Sequence, residues 1–493
     1  MRAAFVIFGT EPRHWNAGLE VALREIPNLN HLEIIWAAGG TPYIPFYSIG
    51  GLSQRILFRK IPSPLSQMVI AIEKKYPHLE VDIQMLTTKS NSKTKKLIKN
   101  FLHNNSELEK LDDLKPMMSA AITNALIYET RNKWASVNTH RKLVNLLCNS
   151  YYAVYEKLIN IIREGNYNKI IFFNGRFIHE KALWAASEEL SVQKIIFECL
   201  RERYILFDHG PHERFSIQDR MKNIWNKALE SNKEEAIEIA SQYFESLTRS
   251  QINRFVPDSK DVLEDQFDFS FFTNSDDEAI GLGKDWVSPL GDNYQITKDV
   301  ICLFESGKFG TLAIKIHPNV ANKAKEELVI WKELTGNQFV RIFDVNSRIS
   351  SSQLVQNSKY IITTGSTVGA EAIYELRPVA VLAPARFDQL GCTANISSVE
   401  ELGNWCERIS ISGMSKTQLE ENRLKVLALG YWMAVSGKKH ELLEIETGVN
   451  GGYLGKSFLG VSNHYPMFLK LVDRLIWNMY FLRIRMRLQI WKR

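Results

Sequence analysis

Tyr360-Ile361-Ile362-Thr363-Thr364-Gly365-Ser366-Thr367-Val368-Gly369-Ala370-Glu371-Ala372 is the stretch from which the architecture is read. A short apolar run, a glycine turn, two hydroxyls and the spacing of a helix make a strand that delivers the chain into a helix. Such a turn aims backbone N–H groups and the positive end of the helix dipole beyond the strand, where an anion can be met. Ser366 and Thr367 add donors, and Gly369, Ala370 and Ala372 let the helix pack closely. Glu371, one turn in, can accept from ribose hydroxyls. The plainer alternative is that Ser366 only caps the helix.

The same grammar recurs along the chain. Ala3–Phe8, Leu32–Ala37, Lys169–Phe173 and Gln193–Phe197 are apolar runs followed by polar or glycine-bearing turns. Phe267–Thr273, Thr311–Ile316, Phe339–Phe343, Tyr360–Thr364 and Val379–Leu382 form a second series. Strands this apolar need helices on both faces, so they are parallel. The fold class expected is α/β, with two doubly wound Rossmann-like domains facing a cleft. The first domain is expected over 1–255, with a helical insertion at about 90–165. The second runs over 256–440 after a linker at Val256–Ser259, and a tail with a basic amphipathic helix occupies 441–493.

The composition agrees. The 493 residues are 45% hydrophobic and 24% charged, which excludes fibrous and extensively disordered chains. A net charge of +6 over this length does not argue for a nucleic-acid partner, and none is expected. The five cysteines are scattered, so neither a disulfide framework nor a zinc site is expected, and a reducing cytoplasm fits. No run of uncharged apolar residues is long enough to span a membrane, and the N-terminus does not read as a signal peptide. Walker, dinucleotide-binding, zincin and nucleophile-elbow motifs are absent.

In an open parallel sheet the ligand sits beyond the carboxyl ends of the strands. Lys315-Ile316-His317-Pro318 is one such end: His317 can donate to a phosphate or base edge, and alternation puts Lys315 on its side. The plainer alternative is that His-Pro simply ends the strand and caps the next helix. Asn274-Ser275-Asp276-Asp277-Glu278 reads as a helix start, with Ser275 and backbone N–H groups available to a phosphate and no convergence of acids on a metal. Asn174-Gly175-Arg176 and Glu198 fall on one rim, followed by Arg201, Arg203 and His212. Arg recognises phosphate or carboxylate, and Glu198 is a candidate general base, with Glu11 as second choice. A structural pair between Arg176 and Glu198 is the alternative. In Phe468–Arg493 an apolar and aromatic face is ringed by bases, which suits either an anionic membrane surface or a helix strapping the domains.

Taken together, Phe172–Arg176 with Glu198 and Arg201, Phe272–Glu278, Lys315–Pro318 and Gly365–Thr367 with Glu371-Ala372 resemble the capsular-polysaccharide biosynthesis glycosyltransferases. These include the Kdo transferases of the two-domain GT-B superfamily. The resemblance spans roughly 169–382. It implies transfer of a sugar from a CMP-, CDP- or UDP-linked donor to a surface polysaccharide or its lipid-linked primer, without metal or cofactor. Asn274, Ser275, Lys315, His317, Gly365, Ser366, Thr367 and Glu371 would bind donor. Asn174, Arg176 and Arg201 would bind acceptor, and Glu198 and His317 would act in catalysis. The enzyme would be cytoplasmic, peripheral on the inner face of the plasma membrane. His317-Pro318-Asn319 and Gly9-Thr10-Glu11-Pro12 also resemble the non-hydrolysing UDP-sugar 2-epimerases, although Glu11 stands where their motif has arginine. A catalytically idle nucleotide-sugar-binding partner of an assembly complex is the third reading.

Overall fold

Five of the six residues of Arg2–Ile7 (β1) are buried, which a strand tolerates when helices cover both faces. The computed structural model describes residues 1–8, 12–37, 41, 63–88, 90–200, 202–207, 210, 213–249, 263–447 and 453–462, and it builds two α/β units on strands of this kind. In the first unit β1 is flanked by His31–Trp36 (β2) and Lys169–Phe173 (β4), all parallel. Glu80–Met85 (β3) pairs outside β2, and Gln193–Leu200 (β5) outside β4. Arg203–Phe207 (β6) turns back antiparallel to β5. The order β3-β2-β1-β4-β5 reverses winding between β1 and β4.

Pro12–Glu25 (α1) and Ser63–Lys75 (α2) bury Trp15, Leu19, Leu65 and Ile72 against Phe5, Ile34, Trp36, Ile171 and Phe197 of the sheet. The crossover from β3 to β4 carries Ser92–Asn104 (α3), Met118–Thr130 (α4) and Val137–Gly165 (α5), the helical insertion expected at about 90–165. Asn91 caps α3 by accepting from the Thr94 N–H at 2.7 Å, and Ser136 with Thr139 forms a capping box on α5. Ile178–Glu189 (α6) follows β4.

The second unit opens with Arg214–Arg249 (α7), which bends at Asn232, where the backbone is non-helical. Its sheet comprises Phe267–Phe272 (β7), Leu312–Lys315 (β8), Val340–Phe343 (β9), Ser358–Thr363 (β10), Val379–Val381 (β11) and Ala394–Asn395 (β12). All pairings are parallel, in the order β12-β11-β10-β7-β8-β9, with the reversal of winding between β10 and β7. Asp276–Leu282 (α8), Asn293–Phe304 (α9), Lys325–Lys332 (α10), Ser351–Gln356 (α11), Val368–Tyr374 (α12) and Val399–Ser412 (α13) layer on it, and Lys416–Val435 (α14) packs along α7.

From Gly437 the chain returns to the first unit. Lys438–Lys439 (β13) pairs with β6. Leu443–Thr447 (β14), Tyr453–Phe458 (β15) and Val461–Ser462 (β16) form a small antiparallel sheet whose Leu443 and Phe458 join the α1–α2 core. Glu20 on α1, wholly buried, pins this return: it accepts from His440 Nδ1 at 2.8 Å, from the Glu441 N–H at 2.6 Å and from Arg24 at 3.0 Å. Burial alone would raise its pKa, but these partners bring it below the usual carboxylate range.

The units therefore divide at 211/212 and 436/437, where the sequence suggested 255/256 and 440/441. The reason is α7, whose Phe244 stacks on Tyr374 at 4.8 Å and whose Gln218 donates to the Ala385 carbonyl at 2.8 Å. The expected linker at Val256–Ser259 and the helix expected in Phe468–Arg493 lie outside the described residues.

Candidate functional site: the carboxyl rim of the second sheet

Three adjacent strands, β10, β7 and β8, end together where the winding reverses, the position at which open parallel sheets bind ligands. Buried threonines lace their ends. Thr363 Oγ1 donates to the Phe272 carbonyl at 3.1 Å and accepts from the Ser366 N–H at 2.9 Å. Thr364 Oγ1 accepts from the Asn274 N–H at 2.9 Å, and Thr273 Oγ1 from the His317 N–H at 2.8 Å. Threonine suits this task because its branched Cβ holds the hydroxyl in few rotamers. The loops bearing Asn274, His317 and Gly365–Thr367 are thus fixed to one another.

Gly365 makes the turn, with φ of +93° and with the Pro384 carbonyl 2.6 Å from where a Cβ would stand. Among the described residues no acceptor meets the N–H of Gly365 or of Thr367, so both donors remain on the rim. Ser366 caps weakly, accepting from the Val368 N–H at 3.4 Å.

His317 is half-buried. Its Nδ1 accepts from the Asn319 N–H at 3.2 Å, which leaves the ring proton on Nε2. Burial and then the Lys323 ammonium lower its pKa to about 4, so at neutral pH the ring is an uncharged donor. Lys315 is buried, and its ammonium donates to the Ile349 carbonyl at 2.6 Å; burial brings its pKa down to about 8, with Asp344 opposing. The structure thus engages Lys315 with the loop after β9, while His317 bonds within its own turn. Burial, with Glu375 a turn away, raises Glu371 to about 7.

Ser275, read as available to a phosphate, instead donates to Asp277, which in turn pairs with the buried Lys323. Asn293 supports Asn274 and Asp276, donating to the Asn274 side-chain oxygen at 2.5 Å and to Asp276 Oδ1 at 2.7 Å. Neither Asn293 nor Lys323 was found by sequence reasoning. Each lies far along the chain from the residue it serves, and only an Asp292 helix cap hinted at the first.

The first unit has a rim of its own. Asn174, in the left-handed region with φ of 60°, is buried and donates to the Glu198 carboxylate. Its side-chain oxygen accepts from the Arg176 N–H at 3.1 Å. Gly175 continues the turn at φ of +73°, and the Arg176 guanidinium lies 4.9 Å from the Phe177 ring centroid. The Arg176 carbonyl accepts from Asn124 of α4 at 3.2 Å, so the helical insertion supports this loop. Glu198 pairs with Asn174 rather than with Arg176, and it lies inside β5, which continues past Phe197 into the turn to β6. Sequence reading passed over His14, stacked on Phe173 at 3.7 Å, and His179, wholly buried with Nε2 3.0 Å from Ser150 Oγ. Burial lowers His179 to about 3. Arg201, Glu11 and His212 lie outside the described residues.

Among the described residues, the one convergence of His with acids able to hold a metal is His31, Glu80 and Asp82. It sits at the amino ends of β2 and β3, and the Arg2 guanidinium stands 3.4 Å from His31 Nε2, which disfavours a cation there.

A two-unit α/β chain with its polar residues gathered on the carboxyl rims defines a class that binds ligands at the switch point of the sheet. Residues 274–409, which contain nearly the whole second-unit rim, match the family described as capsule polysaccharide biosynthesis protein. Over that region the chain is similar to those proteins, as its motifs implied. Among solved structures, it is similar to the beta Kdo 2,4 transferase of KpsC from Thermosulfurimonas dismutans, with 13% identity, 54% of this chain and 80% of that chain covered, and a TM-score of 0.34. It is also similar to S. aureus MnaA in a co-structure with UDP, with 13% identity, coverage of 88% and 94%, and a TM-score of 0.32. A UDP-GlcNAc 2-epimerase from Neisseria meningitidis gives 12% identity, coverage of 88% and 97%, and a TM-score of 0.28. No curated protein matches the chain in sequence.

Proposed function

We propose that the chain is a glycosyltransferase of surface polysaccharide synthesis, taking its sugar from a nucleotide-linked donor held on the second-unit rim. The observation that carries this reading is the threonine-laced junction of β10, β7 and β8. It presents the Gly365 and Thr367 N–H groups on the same rim as a neutral His317, within the region matched to capsule biosynthesis proteins. Donors fixed in advance stabilise charge that develops on a leaving phosphate without reorganising. His317 would donate from Nε2, Ser366 and Thr367 would meet the diphosphate or monophosphate, and Glu371 would accept from ribose hydroxyls. Asn274 completes the donor set, with Lys315 acting through the loop after β9 and Ser275 through Asp277. On the first unit, Asn174, Arg176 and Arg201 would hold the acceptor and Glu198 would take its proton. None of these roles calls for a metal or cofactor.

No helix among the described residues is long and apolar enough to cross a membrane. A lipid-linked acceptor requires attachment at the membrane surface, and Phe468–Arg493 carries the bases and tryptophans suited to it.

The test is a thermal-shift screen of CMP, CDP, UDP and GDP. A ligand that binds only the native state raises stability by RT ln(1 + [L]/Kd), so one nucleotide should stabilise well beyond the others. No stabilisation by any of the four at millimolar concentration would sink the proposal.

A further inference from the structure

The helical insertion in the first unit encloses a groove that the transfer reading leaves unused. A cavity of about 790 Å³ lies between α3 and α5, below the loop that leaves β3. Its walls are two helical faces. Lys93, Lys96 and Asn100 follow i, i+3, i+7 on α3, and Ala153, Lys157 and Asn160 follow i, i+4, i+7 on α5. Each row spans about 10 Å of helix. The face of α3 that carries Ile98 and Leu102 is buried, so the lysine row stands on the groove side, with Thr94 at its edge.

The charge is unbalanced. Among the described residues, Lys93, Lys96 and Lys157 form no ion pair, and the single acid of the lining, Glu156, is already met by Lys115 at 2.5 Å. The remaining polar surface consists of hydroxyls and amides, and Tyr152 is the one aromatic ring. No arginine lines the groove. A nucleic-acid channel would be expected to offer arginines and several stacking rings, and a protein-docking groove would offer more apolar surface. Lysines set among amides and hydroxyls suit a ligand that carries separated anionic groups on a hydroxyl-rich chain.

We propose that this groove binds a segment of an acidic oligosaccharide. Lys93, Lys96 and Lys157 meet its carboxylates, and Thr87, Asn100 and Asn160 meet its hydroxyls. None of the second-unit rim residues takes part, so occupancy of the groove and nucleotide binding are separable.

The experiment is calorimetric titration of the full chain at low salt with heptagalacturonate, with neutral maltoheptaose, inorganic phosphate and an oligouridylate as comparisons. Heptagalacturonate should bind, and more weakly as salt is raised. K93E/K96E and, separately, K157E should each lower its affinity on the order of ten-fold or more. The nucleotide thermal shift should be unchanged in both. Should charge reversal unfold the protein, K93Q/K96Q and K157Q carry the same expectation of weakened binding. The proposal is overturned by no binding of heptagalacturonate, by equal binding of maltoheptaose or of phosphate, by affinity indifferent to the substitutions, or by oligouridylate binding more tightly and being lost in the same variants.

Discussion

His317 and Glu371 sit on one rim with opposite protonation behaviour, and each makes a distinct prediction. His317→Ala removes a donor whose ring is already neutral, so turnover should fall about ten- to a thousand-fold, by analogy with deleting one oxyanion donor. The melting temperature should change little, and wild-type turnover in the variant would remove His317 from the reaction. Because its pKa lies near 4, the rate profile should show no inflection from this residue near 6.5. Glu371 titrates near 7, above its unfolded value of 4.5. Its contribution to stability is therefore whole below about 4.5 and is lost as pH rises through about 7. Glu371→Gln should flatten that decline in a denaturation series, and an unchanged pH slope would contradict the assigned burial. If the carboxylate accepts from ribose, nucleotide affinity should rise through the same window in the wild type and not in the variant. The strand-end residues were legible in the sequence because each polar group directly follows an apolar run. Their partners were not: Thr273 reaches His317, and Asn293 reaches Asn274, through space alone.

At the scale of elements, the loop after β11 is as much part of the rim as the strands. Arg214, at the start of α7, forms a buried ion pair with Asp388, and Gln218 donates to the same carboxylate at 2.7 Å. Asp388 also accepts from the Ala385 N–H at 3.2 Å, which holds the Pro384 carbonyl over Gly365. Asp388→Ala leaves the part-buried Arg214 guanidinium with the Asp285 carbonyl at 3.2 Å and should cost about 2–4 kcal/mol in chemical denaturation. An effect below about 1 kcal/mol would mean the pair is solvated. Gly365→Ala forces a side chain into the left-handed region against that carbonyl, and nucleotide stabilisation should be lost with it. The strands buried on both faces were readable because continuous apolar runs admit few alternatives. β3 was not, since Glu80 and Asp82 alternate with apolar residues on an edge strand and mask the run. The long α7 also escaped notice, because its mostly polar surface gave no periodic signal separating it from a linker region.

For the whole molecule, the rival chemistry has a direct outcome. A UDP-N-acetylhexosamine incubated with the protein and no acceptor should give at most slow hydrolysis, and clean formation of the 2-epimer would replace the transferase reading. Attachment to membranes is equally checkable. Vesicles containing anionic lipid should sediment the protein, neutral vesicles should not, and added salt should release it, each base near the surface contributing roughly 1 kcal/mol. Replacing Arg483, Arg485 and Arg487 with Glu should abolish sedimentation. If the triple variant instead loses thermal stability while the wild type ignores vesicles, the segment serves as a strap.

The return of the chain at Gly437 to meet Glu20 bears on how the protein is made. A ribosome adding about 5–20 residues per second emits the last strand partner of β6 and the ligands of Glu20 roughly ten seconds to three-quarters of a minute after the rest of the first sheet. Through that interval the second unit is still being made, while the first waits with an open edge at β6 and a buried carboxylate whose one available partner is Arg24, a nascent state whose exposed flank is a natural client for chaperones.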